Sequence, residues 1–180
     1  MKTIIDKLLI HQSLTQDEAR EVMNKIMSGV FNDSQIAGFL VALRSKGESS
    51  GEIAGFSQAM REKMTPVHLH SDAIDMCGTG GDARGTFNIS TSASFVVAGA
   101  GVKVAKHGSR SFTSKSGSAD VLSALGVDIT LEPQTVSDCI EKVGLGFMFT
   151  PSLHPALKFA EQVRSSLGIR TIFDFLAPLA

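Results

Sequence analysis

The chain has 180 residues, 43% hydrophobic and 19% charged, with a formal net charge of −1. That is enough apolar material for a real core, too few charges for disorder, and no bulk attraction to nucleic acid or an anionic membrane. No apolar run approaches the ~20 residues needed to cross a bilayer. Residues 1–10 mix Lys2, Asp6 and Lys7 with their apolar neighbours and lack a small-residue cleavage site, so they do not read as a signal peptide. Cys77 and Cys139 lie far apart in apolar segments and read as reduced core thiols of a cytoplasmic protein.

Residues 1–65 are predicted to form a small all-helical domain. Ile4, Ile5, Leu8 and Leu9 make the first apolar stripe. Thr15 with Glu18 is a capping box that opens a helix through Met27, ended by Gly29. Asn32 with Gln35 opens a third, in which Ile36, Phe39, Leu40 and Leu43 recur on one face. Ser49 with Glu52 opens a fourth, running to about Met64 before Pro66. Val41 and Ala42 widen the apolar face of the third helix beyond its stripe, which suits a buried helix of a bundle or one that also meets a second subunit. The acids and bases of this third are spread as solvated faces are.

After Pro66 the texture changes to short apolar segments bounded by Gly and alternating with helical ones, the signature of a parallel sheet covered by helices. Strands are predicted over 73–77, 102–105 and 146–149, and helices over 91–100, 118–125, 133–143 and 155–167, with a last helical stretch from near Thr171. Residues 66–180 therefore read as one α/β domain.

The first strand runs into Asp75-Met-Cys-Gly78-Thr-Gly80-Gly81-Asp82-Ala-Arg-Gly85-Thr86-Phe-Asn88-Ile-Ser90-Thr91. Glycines let backbone N–H groups approach a ligand with no Cβ in the way, and the helix start adds unpaired N–H donors and the positive end of the helix dipole. Together they make an anion site, most often for phosphate. Gly78, Gly80 and Ala83 formally satisfy a dinucleotide pattern, but the acid expected about 20 residues on is replaced by Lys103. A Walker-type loop is absent.

Charge sharpens this picture. Between Asp82 and Asp120 there is no acid, while Arg84, Lys103, Lys106, Arg110 and Lys115 fall there, so this stretch carries +5 and the rest of the chain −6. Such a concentration suits a ligand with several negative charges. Nucleic acid competes as an explanation, but Phe87, Phe95 and Phe112 are the only aromatics of this stretch, and two of them read as core, a poor stacking platform. A second loop, predicted to begin at Lys106 after the strand 102–105, carries His107, Gly108, Ser109, Arg110, Ser114 and Ser118. In a parallel sheet it emerges at the same edge as the Gly-rich loop. His68 and His70 could share a face by alternation but offer no third metal ligand.

Gly78-Thr-Gly-Gly-Asp82, Asn88-Ile-Ser-Thr91, Lys106-His-Gly-x-Arg110 and Ser114-Lys-Ser-Gly-Ser-Ala-Asp120 together resemble the anthranilate phosphoribosyltransferase family. Phe147-Met-Phe-Thr-Pro, His154-Pro-Ala and Arg164 with Leu-Gly-Ile-Arg170-Thr-Ile-Phe173 extend the resemblance along essentially the whole chain. It implies transfer of the phosphoribosyl group of phosphoribosyl pyrophosphate to anthranilate, with release of pyrophosphate, in tryptophan biosynthesis. Matching motifs imply that Gly78, Gly81, Asp82, Thr86, Asn88, Ser90, Thr91, Lys106, His107, Gly108, Arg110, Ser114 and Ser118 hold the donor, with Ser90 also a ligand of Mg²⁺. They imply that Gly78, His107, Ser109, His154 and Arg164 border anthranilate, Arg164 matching its carboxylate. A homodimer through the N-terminal helices is implied too, with no nucleic-acid or membrane partner.

Two positions depart from the family pattern: Ser109 stands where the family has Asn, and Ala177 where it has Gly. Both lie in segments that border the acceptor. Family members continue past this point, completing the sheet and supplying an Asp-Glu pair for Mg²⁺, so the 180 residues are expected to form an incomplete α/β domain with half a site and little turnover. The alternatives are a phosphate- or diphosphate-binding module of the same fold that performs no transfer, and a relative of the pyrimidine nucleoside phosphorylases, whose Gly-rich loop differs.

Overall fold

The structure, a computed structural model, describes residues 1–77, 87–110, 116–176 and 178–179. The chain divides into two compact units, one formed by Met1–Met64 with Ala156–Ala180 and the other by Thr65–Pro155.

In the first unit, α1 (Lys2–Leu9), α2 (Gln16–Ile26), α3 (Asp33–Lys46) and α4 (Ser50–Lys63) begin where their caps require. Thr15, Asn32 and Ser49 each accept the N–H three residues on, and Glu18, Gln35 and Glu52 each accept the cap's own N–H in return. Such reciprocal bonds satisfy two of the orphan donors of a helix start. Gly55 lets α4 cross α2 at backbone contact: a Cβ there would stand 2.2 Å from the Gln16 carbonyl oxygen. Leu8, Met23, Ile26, Phe39 and Phe56 are buried in one core, with Phe39 and Phe56 edge to face at 6.0 Å.

Glu52 does more than cap. It is fully buried and accepts from Leu14 N–H (2.9 Å), Ser49 N–H (2.7 Å) and the nearly buried Lys46 Nζ (2.8 Å). Burial pushes its carboxyl up, but these donors together hold it below the ordinary value.

Two features of this unit differ from the sequence reading. Ala42, placed outside the stripe of α3, is buried with Ile36, Phe39, Leu40 and Leu43, while Val41 is 45% exposed. Also, α9 (Lys158–Leu167) and α10 (Ile172–Leu176) belong with the helical unit, although the composition change at Pro66 put everything after it in the α/β part. The reason is packing. Ala160, Val163, Ile172, Phe173 and Leu176 bury their apolar faces in the same core as Leu8 and Phe56, and the spare apolar surface of α3 is partly taken up there.

The second unit runs α5 (Ile89–Gly99), β1 (Val104–Gly108), α6 (Ser118–Ala124), α7 (Pro133–Val143), β2 (Leu145–Phe149) and a short α8 (Thr150–Leu153). The strands pair in parallel with Val104 opposite Leu145, and among the described residues they form a two-stranded sheet. The predicted strand 73–77 joins β1 only through a single parallel bridge at Ile74. Beyond it, Asp75 and Met76 turn their acceptors to side-chain and backbone partners on β1, as described below. The predicted strand 102–105 begins and ends later, so Lys106, His107 and Gly108 are strand residues, not loop residues.

A small core of Ala119, Leu122, Ile129 and Phe147 supports this unit. Glu141 on α7 pins the entering chain, accepting from Lys103 Nζ, Ser71 N–H (3.1 Å), Ser71 hydroxyl (2.7 Å) and His70 N–H (2.8 Å). Lys103, then Ser71 and His70, hold its carboxyl down at about 2. Cys77 and Cys139 form no disulfide and are half-buried, not core. Phe87 and Phe95 are exposed, contrary to the reading of two of the three aromatics as core. No helix among the described residues is long and apolar enough to cross a membrane.

Candidate functional site

The parallel strands bring three segments to one edge: residues 75–77, the end of β1 with residues 109–110, and α8 with its C-cap His154. The predicted ligands Gly78, Gly81, Asp82, Thr86 and Ser114, and the departure Ala177, lie outside the described residues. The rest can be placed.

Lys106 is the centre of the residues that the sequence reading expects to hold the donor. On a pleated strand successive side chains face opposite ways, and Lys106 shares the buried face of Val104. It is 2% exposed, and its Nζ donates to the Met76 carbonyl (2.6 Å) and to Ser90 Oγ (3.4 Å). It thus ties the segment entering the Gly-rich loop to the first turn of α5. Burial holds the ammonium below its ordinary value, and Cys77 and Asp75 nearby offset this only in part. A buried cation with one carbonyl and one hydroxyl as acceptors still has donor capacity for an anion.

The start of α5 is built by Asn88, whose side chain accepts from Thr91 N–H (3.3 Å) and lies 3.5 Å from Ser90 Oγ. Thr91 Oγ1 donates to Ser118 Oγ (3.0 Å), joining the starts of α5 and α6. Gly108 fits between these parts because a Cβ would press on Phe147 and Ser118 at 3.1 Å, and its carbonyl accepts from Thr150 Oγ1 (3.0 Å). Asn88, Ser90, Thr91, Lys106, Gly108 and Ser118 are therefore brought together. Arg110 is held by Asp120 (3.0 Å) and is mostly exposed. The Ser109 carbonyl accepts from Ala119 N–H (3.3 Å), while its hydroxyl donates to the Arg110 carbonyl.

His107 faces the other way. Its Nδ1 is paired with the Asp75 carboxylate, which also accepts the His107 backbone N–H (3.1 Å), a bond that a neighbouring strand would otherwise take. Burial works against a charged ring, but Asp75 and the neighbouring Cys77 overcome it and raise His107 to about 10. Asp75 is held below its ordinary value: burial pushes it up, and His107 more than offsets that. His154 is buried, and first burial, then the His107 charge, push it down. Sequence reasoning gave Asp75 no role. The signal was present as an acid ahead of the glycines, but nothing local links it to a histidine 32 positions on.

Arg164 sits on α9, in the first unit, paired with Asp174 (3.3 Å) and stacked over Phe173 (5.2 Å). Among the described residues no three His, Cys, Asp or Glu side chains gather as a metal site.

Comparison with known proteins extends this geometry. Residues 2–64 match the helical bundle domain of a glycosyl transferase family, and residues 70–180 match that family's a/b domain. An anthranilate phosphoribosyltransferase of Xanthobacter autotrophicus is 54% identical over 179 residues, 99% of this chain and 52% of that protein. The solved enzyme of the same name from Thermus thermophilus superposes with a TM-score of 0.90 at 45% identity, over 98% of this chain and 54% of its own. That of Saccharomyces cerevisiae, in complex with PRPP and Mg, gives a TM-score of 0.89 at 30% identity, over 98% and 53%. The chain thus spans about half the length of the curated relatives it matches.

Proposed function

Since the chain belongs to the glycosyl transferase family whose helical bundle and a/b domains match it in tandem, we propose that it supplies the donor-binding part of an anthranilate phosphoribosyltransferase. The reaction joins the amine nitrogen of anthranilate to C1′ of the ribose as the C1′–O bond to pyrophosphate breaks. The bonding pair leaves with pyrophosphate, and the amine gives up a proton. The observation that carries this reading is buried Lys106, which links the approach to the Gly-rich loop with Ser90 at the start of α5. A phosphate placed there meets a cation shielded from water and the donor end of a helix.

The ribose gains positive charge as pyrophosphate departs, so groups that hold the leaving group's charge lower the barrier. Lys106 provides one. Asn88, Ser90, Thr91 and Ser118 fix the first turns of α5 and α6, and the proposal gives Gly78 and Gly81, with Asp82, Thr86 and Ser114, the remaining donor contacts. Anthranilate carries a ready nucleophile, so holding it in place is the main demand on His107, Ser109, His154 and Arg164. Ser90 Oγ and its neighbour Asn88 Oδ1 are hard oxygen donors of the kind Mg²⁺ prefers. Ser90 would hold the ion, which when bound neutralises diphosphate charge.

The same reading includes a cytoplasmic homodimer through the N-terminal helices, supported by the exposed Val41 on α3.

The test is Ser90→Ala. It is expected to leave the fold intact and to abolish most of the enhancement of phosphoribosyl pyrophosphate affinity by Mg²⁺, read by calorimetry with and without the ion. Equal enhancement in parent and variant would rule Ser90 out as a ligand.

A further inference from the structure

Among the described residues, His107 and His154 are each left with one ring nitrogen buried and without a hydrogen-bond partner, Nε2 of His107 and Nδ1 of His154. Such atoms are rare in folded proteins and call for a reason. The first ring is bound at Nδ1 by Asp75, which also grips the backbone N–H of the same residue, so a single carboxylate fixes the strand position, the ring orientation and the proton on Nδ1.

We infer that Asp75 is a positioning residue that keeps His107 as an imidazolium, so that its unpartnered Nε2–H is offered as a charged donor to an acceptor substrate carrying a carboxylate. The inference rests on the function proposed above and adds to it the means by which an acidic acceptor is preferred over its uncharged analogue. A neutral histidine held at Nδ1–H would leave Nε2 as a bare lone pair, which repels a carboxylate; the ion pair with Asp75 removes that tautomer. The groups that face His107 among the described residues are Asp75 and Cys77 from the segment before the glycines and His154 from the end of α8, while the neighbouring Lys106 points to the opposite face of the strand. The last is pushed towards its neutral form, first by burial and then by His107 itself. The result is a charged donor beside an uncharged imidazole with an unused nitrogen, a pair suited to a ligand that has an anionic group next to an N–H.

The experiment uses the 180-residue chain labelled with ¹⁵N-histidine, as parent, Asp75→Asn and Asp75→Glu. Ring ¹⁵N shifts are followed through a pH titration, and anthranilate and 2-aminobenzamide are titrated at about pH 8, between the ordinary histidine value of 6.5 and the raised value of about 10. In the parent the His107 ring keeps both protons at that pH, and it loses one in Asp75→Asn. The preference of the parent for anthranilate over 2-aminobenzamide falls about tenfold in Asp75→Asn, the difference between a charged and a neutral donor. Asp75→Glu, which keeps the charge, restores part of it. A parent ring that turns over near 6.5 overturns the inference whatever binds, and so does an Asp75→Asn variant that weakens both ligands equally, the mark of a merely structural role. The parent titration needs no variant, so a misfolded variant leaves the inference exposed to refutation. Failure of the parent to bind either compound contradicts the acceptor roles proposed above for His107, Ser109, His154 and Arg164, while the charge on His107 is still decided by its own titration.

Discussion

Glu52→Ala is expected to destabilise the chain by about 3–5 kcal/mol, the range for removing one partner of a buried ion pair and leaving the other charge behind. Lys46 loses its carboxylate while remaining almost enclosed, and the N–H groups of Leu14 and Ser49 lose their acceptor. Because a small domain is stable by only about 5–15 kcal/mol in total, the variant should unfold at a much lower urea concentration. Linkage gives the same bonds a pH signature. The carboxyl is held below 4.5 in the folded chain, so its stabilising contribution is fully present above 4.5 and lost as pH falls through the folded value. The parent should therefore lose more stability on acidification than Glu52→Gln does. A loss below about 1 kcal/mol in Glu52→Ala, the size expected of an exposed pair, would contradict this account of the helical unit.

Lys106→Gln is expected to weaken phosphoribosyl pyrophosphate and pyrophosphate alike by about 1.5–3 kcal/mol, the value of a hydrogen bond to a charged group. Glutamine keeps a polar, hydrogen-bonding side chain of similar size at the position, so the strand edge should hold while the cation is lost. Arg110→Gln should cost less, because Arg110 is exposed and already shares its charge with Asp120. Calorimetry at low and raised salt separates the two: the exposed contribution fades with screening, and the buried one persists. Equal and small losses for both variants would mean that the donor phosphates lie elsewhere.

What could be read from the sequence was what is decided locally. The three capping boxes at Thr15, Asn32 and Ser49 need only residues three apart, and each helix begins where its box says. The bounds of α7 at Pro133 and Gly144 follow for the same reason, from a proline that starts a helix and a glycine that ends it in the left-handed region at φ +88°. Strand ends were harder. The extent of β1 is set by its pairing with Leu145–Phe149, about forty residues away in the chain, which carries Lys106 and His107 into the sheet. The strand predicted at 73–77 shrank to one bridge because Asp75 spends its carboxylate on His107 and Met76 its carbonyl on Lys106. Neither use is written in an alternation of apolar residues. The return of α9 and α10 to the helical unit was equally hidden, since an amphipathic stripe says that a face is buried but not against what. The residues proposed to hold the donor were nameable for a different reason. Its residues lie in contiguous motifs, so Asn88, Ser90, Thr91, Lys106 and Ser118 could be named together before their contacts at the sheet edge were known.

The most direct measurement is a calorimetric titration of the unaltered chain with phosphoribosyl pyrophosphate, in the presence and absence of Mg²⁺, beside a titration with uridine and phosphate. The account predicts saturable, Mg²⁺-enhanced binding of phosphoribosyl pyrophosphate that Lys106→Gln weakens, and no saturable binding of the nucleoside. Saturable binding of uridine, or no binding of phosphoribosyl pyrophosphate at any Mg²⁺ concentration, would contradict it.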